Sequence, residues 1–326
     1  MTTFERALVP GFHGGLPAHI EQRTRIANRV LGELERRDTE AFFRRHPEFF
    51  RLVVSRYYPL DAGLIERFED CWDWSSLSCN ENLPWDKYLV ERFEQMWDWK
   101  LLSRNEALYW TKDLLVQYQD YWNWGITYGS HIDAGLIDAG LSLNRSLPWS
   151  EELLDRFQDR WSWYWLSVNE SLPWSEDFID KYKDRWCWKC YPDDAYGFSI
   201  MYNKALPWSE ALLDRFKEYW EWDWLFANEY LLWTRDFIEK FRVNCEWGWS
   251  VIGYNNALPW SEELLEYYHD KLDWIGISLN RNLPWQDGLI ERYKDHWDWF
   301  FLSGNEALPW NDALITRYAE RWEWGM

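Results

Sequence analysis

The chain has 326 residues, of which 47% are hydrophobic, 20% aromatic and 28% charged, with a formal net charge of −20. So many aromatics argue against intrinsic disorder, and so acidic a balance argues against direct nucleic-acid binding, which needs clustered Lys and Arg. No run of 18 apolar residues occurs and the opening MTTFERALVPGFHGG has no basic flank before an apolar stretch, so neither a spanning helix nor a secretory signal is readable; the expectation is a cytoplasmic protein without a membrane role.

Residues 1–58 contain no Trp and carry ten Arg against seven Asp/Glu. Ala18 to Arg37 and Glu40 to Tyr57 are expected to be helical, with Pro47 breaking the second stretch. This segment reads as an N-terminal helical cap. Residues 59–326 then hold 25 Lys/Arg and 48 Asp/Glu, so the acid excess lies there.

From residue 59 the sequence repeats itself. A Leu-Pro-Trp tripeptide or a close relative recurs, and its Trp column is Trp85, Trp110, Trp149, Trp174, Trp208, Trp233, Trp260, Trp285 and Trp310. An earlier copy has Leu60 in that place. The period is 25 residues, lengthened by about 14, 9 and 2 residues at three points, which makes about ten units. Two further Trp columns close each unit, as in Trp97/Trp99 and Trp161/Trp163, and 28 of the 30 Trp fall in the three columns; Trp165 and Trp224 do not.

Within the unit that starts at Trp149, Ser150 is a good N-cap, with equivalents Asp61, Asp86, Thr111, Ser175, Ser209, Thr234, Ser261 and Asn311. Leu153, Leu154, Phe157 and Trp161 then share one face at helical spacing, which predicts a three-turn helix from Glu151 to about Trp161. Trp163 would point some 200° away on a continued helix. The chain must therefore break between the paired tryptophans and start a second, shorter helix. An Asn column closes the unit: Asn80, Asn105, Asn144, Asn169, Asn203, Asn228, Asn255, Asn280 and Asn305. It is expected to cap or turn the chain, through the left-handed conformation that Asn tolerates. The predicted fold is all-α, a solenoid of about ten 25-residue helix–turn–short-helix repeats; a leucine-rich-repeat-like solenoid with a short strand at LSxN is the alternative.

Two insertions interrupt the rhythm, near 125–140 and 189–198. The first contains His131 and Asp133; the second places Asp193 and Asp194 beside Tyr191 and Tyr196. Loops grafted on a repeat frame are candidate binding sites. Cys187 and Cys190 have C-x-x-C spacing, but no second ligand pair accompanies them, so no metal site is expected. No catalytic motif and no cofactor signature is readable.

The helix face away from the apolar stripe repeats paired carboxylates: Asp155/Asp159, Asp180/Asp184 and Asp214/Glu218. A column of Arg or Lys follows the first acid, including Arg67, Arg92, Arg156, Lys181, Arg215 and Lys240. Cross-unit pairing would make these a salt-bridge ladder; a surplus of acid would make them an acidic ridge for a basic partner. The expected function is therefore a protein-binding scaffold with a basic partner, acting through the ridge or the inserted loops. An inhibitor or immunity protein that mimics a nucleic-acid backbone is a sharper version of it. An enzyme with a site built from the insertions around His131 or Cys187 is the rival.

The LPWS and WDW signatures over about residues 56–326 resemble the poorly characterised Trp-rich tandem repeats of bacterial and large-virus proteins. That resemblance implies a repeat architecture and no particular activity.

Overall fold

The computed structural model describes residues 45–125, 138–189, 199–244 and 251–324. The chain divides into two compact units, Met1–Ser171 and Leu172–Met326. Within the described residues every regular element is helical and no strand occurs. The leucine-rich-repeat-like alternative falls with that, since its LSxN strand is here the end of a helix, as in Trp163–Ser167. The expected helix Ala18 to Arg37 lies outside the described residues. The break at Pro47 is present, and the chain resumes helically at Pro47–Phe49.

The first helix of each repeat is short. In the unit Met1–Ser171 these helices are Ala62–Arg67, Lys87–Arg92, Lys112–Gln117 and Glu151–Arg156. In Leu172–Met326 they include Glu176–Lys181, Glu210–Arg215, Arg235–Phe241, Glu262–Tyr268 and Asp312–Arg317. The capping column works as its residue types dictate. Asp61, Asp86, Thr111, Ser150, Ser175, Ser209, Thr234, Ser261 and Asn311 each accept from the backbone N–H three residues on, at 2.8–3.3 Å. Gln286, in the same column, makes no such bond.

The expected three-turn helix to Trp161 is not what forms. The helix stops at Arg156, and Phe157 sits in the bridge region at φ −120, ψ 28. Trp97 shows the physical reason. Its indole Nε1 donates to the Val90 carbonyl at 3.2 Å, an acceptor that a continued helix would give to the Glu94 N–H. The indole thus takes the place of the next helical turn. Trp72, Trp186, Trp297 and Trp322 do the same to Ile65, Ile179, Ile290 and Ile315. Where the acceptor position is Leu115, Leu154 or Leu213, the buried Nε1 of Trp122, Trp161 and Trp220 has no partner. The bond follows a β-branched residue at that position.

The second helix starts at the third Trp column, as in Trp74–Ser78, Trp99–Leu102, Trp222–Leu225, Trp274–Leu279 and Trp299–Ser303. Asp98 and Asp298 cap it, as their place between paired tryptophans suggests. Its Trp donates Nε1 back to the carbonyl five residues earlier, Trp99 to Glu94 at 3.0 Å for example.

Neighbouring repeats are joined by three devices. Asn105 Nδ2 donates to the carbonyls of Ser78 and Asn80 in the preceding repeat, at 3.0 and 3.3 Å. Its Oδ1 accepts from the Ala107 N–H at 2.9 Å, and the Trp110 indole caps its own carbonyl at 3.0 Å. Asn255, Asn280 and Asn305 repeat this set in the other unit. The Asn column therefore acts through its side-chain amide. Its backbone is extended, as at Asn280 (φ −68, ψ 125), and not left-handed as expected. The second device is a buried Ser: Ser78 Oγ donates to Trp74 O and accepts the Asp98 N–H of the next repeat. The third is aromatic. Trp99 meets Trp122 of the next repeat edge-on at 4.8 Å, and Trp122 meets its own Trp110 at 5.0 Å.

Burial follows from this arrangement. The described members of the second Trp column are 3–5% exposed. Two outcomes are expected from urea denaturation followed by circular dichroism. Trp97→Phe should cost about 1 kcal/mol more than Trp122→Phe, because only Trp97 loses a made hydrogen bond. Asn105→Asp should cost about 3 kcal/mol or more, since it turns a carboxylate towards two buried carbonyls.

Candidate functional site

The carboxylate face is built by the C-terminal half of each first helix and the turn after it. The first acids Glu66, Asp180 and Asp214 are tied to the next repeat's cation. Arg92 Nε lies 3.4 Å from Glu66, Arg215 lies 3.2 Å from Asp180 and 3.0 Å from Asp177, and Lys240 lies 2.7 Å from Asp214. Each of these cations also sits over the aromatic ring that follows it, at 4.8–5.6 Å. The Asp180 carboxyl is held below its ordinary range, first by the hydrogen bond from Lys183 and then by that from Arg215. A salt-bridge ladder is therefore present among the described residues.

The second acid of each pair lies beyond the helix end. Asp159 falls in the turn after Glu151–Arg156 and not one helical turn on from Asp155; both are exposed. Asp184 accepts from the Tyr219 hydroxyl at 3.1 Å, and Glu218 lies 3.8 Å from Lys217. Two of this column are clamped, Asp120 by Arg160 at 2.6 Å and Asp295 by Arg321 at 3.1 Å.

A tyrosine–carboxylate row runs beside the ladder. Tyr118, Tyr268 and Tyr293 donate to Glu94, Glu239 and Glu266 of the preceding repeat at 3.4, 2.6 and 2.6 Å, and Tyr318 donates to Glu291. Burial, then the neighbouring carboxylates, push the Tyr118, Tyr293 and Tyr318 hydroxyls up to about 12, and that of Tyr268 up as well. This row is hidden in the sequence because the column mixes Phe and Tyr; the residues that are Tyr are the available signal.

His131, Asp133, Cys190, Tyr191, Asp193, Asp194 and Tyr196 lie outside the described residues. The neck of the first insertion is described. Asp138, 8% exposed, pairs with Lys100 at 2.6 Å and accepts from Asn123. Gly140 takes φ +50, and a Cβ there would lie 2.1 Å from Asn123 O; only glycine permits the two ends of the insertion to cross so closely. Cys187 Sγ donates weakly to the Lys189 carbonyl at 3.4 Å. Among the described residues no group of three His, Cys, Asp or Glu is placed to hold a metal, and no helix is long and apolar enough to cross a membrane.

Comparison with protein-family models, curated proteins and solved structures yields no match.

Asp180→Asn should change stability by less than about 1 kcal/mol, as for other exposed ion pairs. The tyrosine row gives an alkaline signature. A hydroxyl held neutral above its ordinary value of 10.0 stabilises the fold fully below pH 10, and that contribution is lost as pH rises towards 12. Thermal melts should fall across this window, and Tyr293→Phe with Tyr318→Phe should flatten the fall.

Proposed function

We propose that this chain is a protein-interaction scaffold: a solenoid of about ten repeats, of the Trp-rich tandem-repeat kind, that presents a rigid acidic surface to a basic protein partner. The reading rests on one observation. Residues 59–326 hold 48 Asp/Glu against 25 Lys/Arg, so one-to-one pairing of the ladder kind leaves 23 carboxylates over. Charge in excess of what the frame uses costs stability through self-repulsion, and a basic partner relieves it. The side chains assigned to that surface are the second acids, Asp159, Asp184 and Glu218, because Asp180 and Asp214 serve the ladder. Asp155, exposed beside Arg156 of the basic column, is the first acid of its own pair. The inserted loops that carry His131, Tyr191, Asp193, Asp194 and Tyr196 are the second contact region of this reading.

The test is capture from the source cell's lysate on immobilised protein. Wild type should retain a basic protein that elutes as salt rises, because salt screens exposed charge. The variant Asp159→Asn, Asp184→Asn, Glu218→Gln should bind it about tenfold more weakly, a loss of about 1.4 kcal/mol over three charges. Equal retention by both proteins would remove the ridge from the reading, and retention that ignores salt would remove the basic partner.

A further inference from the structure

The unit Leu172–Met326 carries an exposed apolar stripe on the segments of its short second helices. Tyr202, Trp224, Tyr254, Ile275, Leu279 and Phe300 are 36–50% exposed. They occupy three neighbouring positions of the repeat. Tyr202, Tyr254 and Leu279 directly precede the Asn column, Ile275 and Phe300 follow the third Trp column by one, and Trp224 follows it by two. The helices Trp274–Leu279 and Trp299–Ser303 pack side by side. The stripe also crosses from one repeat to the next: a Cβ at Gly276 would lie 2.7 Å from the Tyr254 ring, so that ring lies against the following repeat's second helix. In the unit Met1–Ser171 the same positions hold Ser75, Cys79, Lys100 and Arg104, and their apolar residues, Leu101, Leu143, Tyr164, Trp165 and Val168, are buried or half-buried. The stripe is thus a property of one unit and not of the repeat.

Core formation does not require these side chains, because the buried column beneath them is already filled by Ile252, Ile277 and Leu302 at 0–1% exposure. A row of exposed large apolar residues marks an interaction surface. Its ionisable surroundings are one-sided. The second-helix segments and their caps over 200–202, 221–227, 251–254, 273–279 and 298–304 contain no Lys, Arg or His, and their charged residues are Glu221, Asp223, Asp273 and Asp298. Outside these segments, Lys204 and Arg281 follow Tyr202 and Leu279 by two residues, and Lys189 lies 3.2 Å from Glu221. Aromatic faces beside carboxylates suit Lys and Arg, by cation–π attraction and by charge. A second copy of a chain with net charge −20 would bring acid against acid, and an anionic lipid surface would do the same.

We infer that this stripe docks a basic amphipathic helix of another protein, with the apolar side of that helix on Trp224, Ile275 and Phe300 and its Lys or Arg residues towards Asp223, Asp273 and Asp298. Helix-on-groove recognition of this kind reads anchors at i, i+3/i+4 and i+7 spacing. The inference shares a basic partner with the proposed function but assigns it a different face.

The test uses the whole chain and three synthetic peptides of about 18 residues, a length of about 27 Å when helical. One is a Leu/Lys amphipathic helix, one its Leu/Glu twin, and one a scrambled Leu/Lys peptide of the same composition. Binding is read by fluorescence anisotropy at moderate salt. The Leu/Lys helix should bind at least tenfold more tightly than the other two. Phe300→Ser and, separately, Ile275→Lys should each weaken it at least fivefold with an unchanged circular dichroism spectrum. The ridge variant Asp159→Asn, Asp184→Asn, Glu218→Gln should weaken it less than twofold. Loss in the ridge variant with retention in the stripe variants would overturn this inference and leave the proposed function standing. Equal binding of the scrambled peptide, no binding of any peptide, or self-association abolished by Phe300→Ser would each overturn it. So would binding of anionic phosphatidylserine vesicles that Phe300→Ser abolishes.

Discussion

A helix of six residues, such as Lys87–Arg92, has scarcely any interior. The first four N–H groups and last four carbonyls of any helix lack intrahelical partners, so nearly all of its backbone must be satisfied from outside. The rest of the structure depends on how that is done. An Asp, Ser, Thr or Asn cap serves the N-terminus, and an indole N–H serves the C-terminal carbonyl, as Trp97 serves Val90. Each buried indole also fills core volume, and where it donates, as at Trp72, Trp97 and Trp186, it makes a bond that a Phe could not make, although a Phe would pack. The Asn amide and the Ser hydroxyl extend the same accounting to the neighbouring repeat. Local backbone satisfaction and inter-repeat cohesion are thereby carried out by the same side chains.

The fold was legible where a residue type has a single job at a fixed spacing. The N-cap column, the break between paired tryptophans and the short second helix could all be read that way, since each is a local event within a few residues. The length of the first helix was not, because Leu153, Leu154, Phe157 and Trp161 share a face on a straight helix as well as on the broken one. Periodicity does not distinguish the two; only the destination of the Trp N–H does. The Asn column was read as a cap of its own chain, whereas Asn105 reaches a segment 25 and 27 residues earlier. The spacing of the repeat contains that contact, but only once neighbouring repeats are placed side by side.

Charge was legible in part for the same reason. Composition locates the acid excess, and the basic column suggested a ladder, which Arg92, Arg215 and Lys240 make. Sequence does not separate the acid that serves the ladder from the acid that does not, because Asp180 and Asp184 are alike as residues and differ in whether the next repeat's Arg215 reaches them. The apolar stripe was invisible for a different reason. Ile275 and Phe300 follow half-buried tryptophans at a position that is Ser75, Lys100 or Asp223 in other repeats, and hydrophobicity alone assigns them to the core. Exposure distinguishes them. One frame thus offers two faces of different chemistry, acidic on the first helices and apolar with acidic flanks on the second, each fixed by the same backbone bookkeeping.

The central claim is that the bonded indole N–H groups act as backbone partners and not merely as bulk. Hydrogen exchange of the assigned indole protons, followed by NMR, tests it most directly. The account predicts that Trp85 and Trp97, bonded to the Asn80 and Val90 carbonyls, exchange orders of magnitude more slowly than exposed Trp224. Rapid exchange at Trp85 and Trp97 in a folded sample would contradict it.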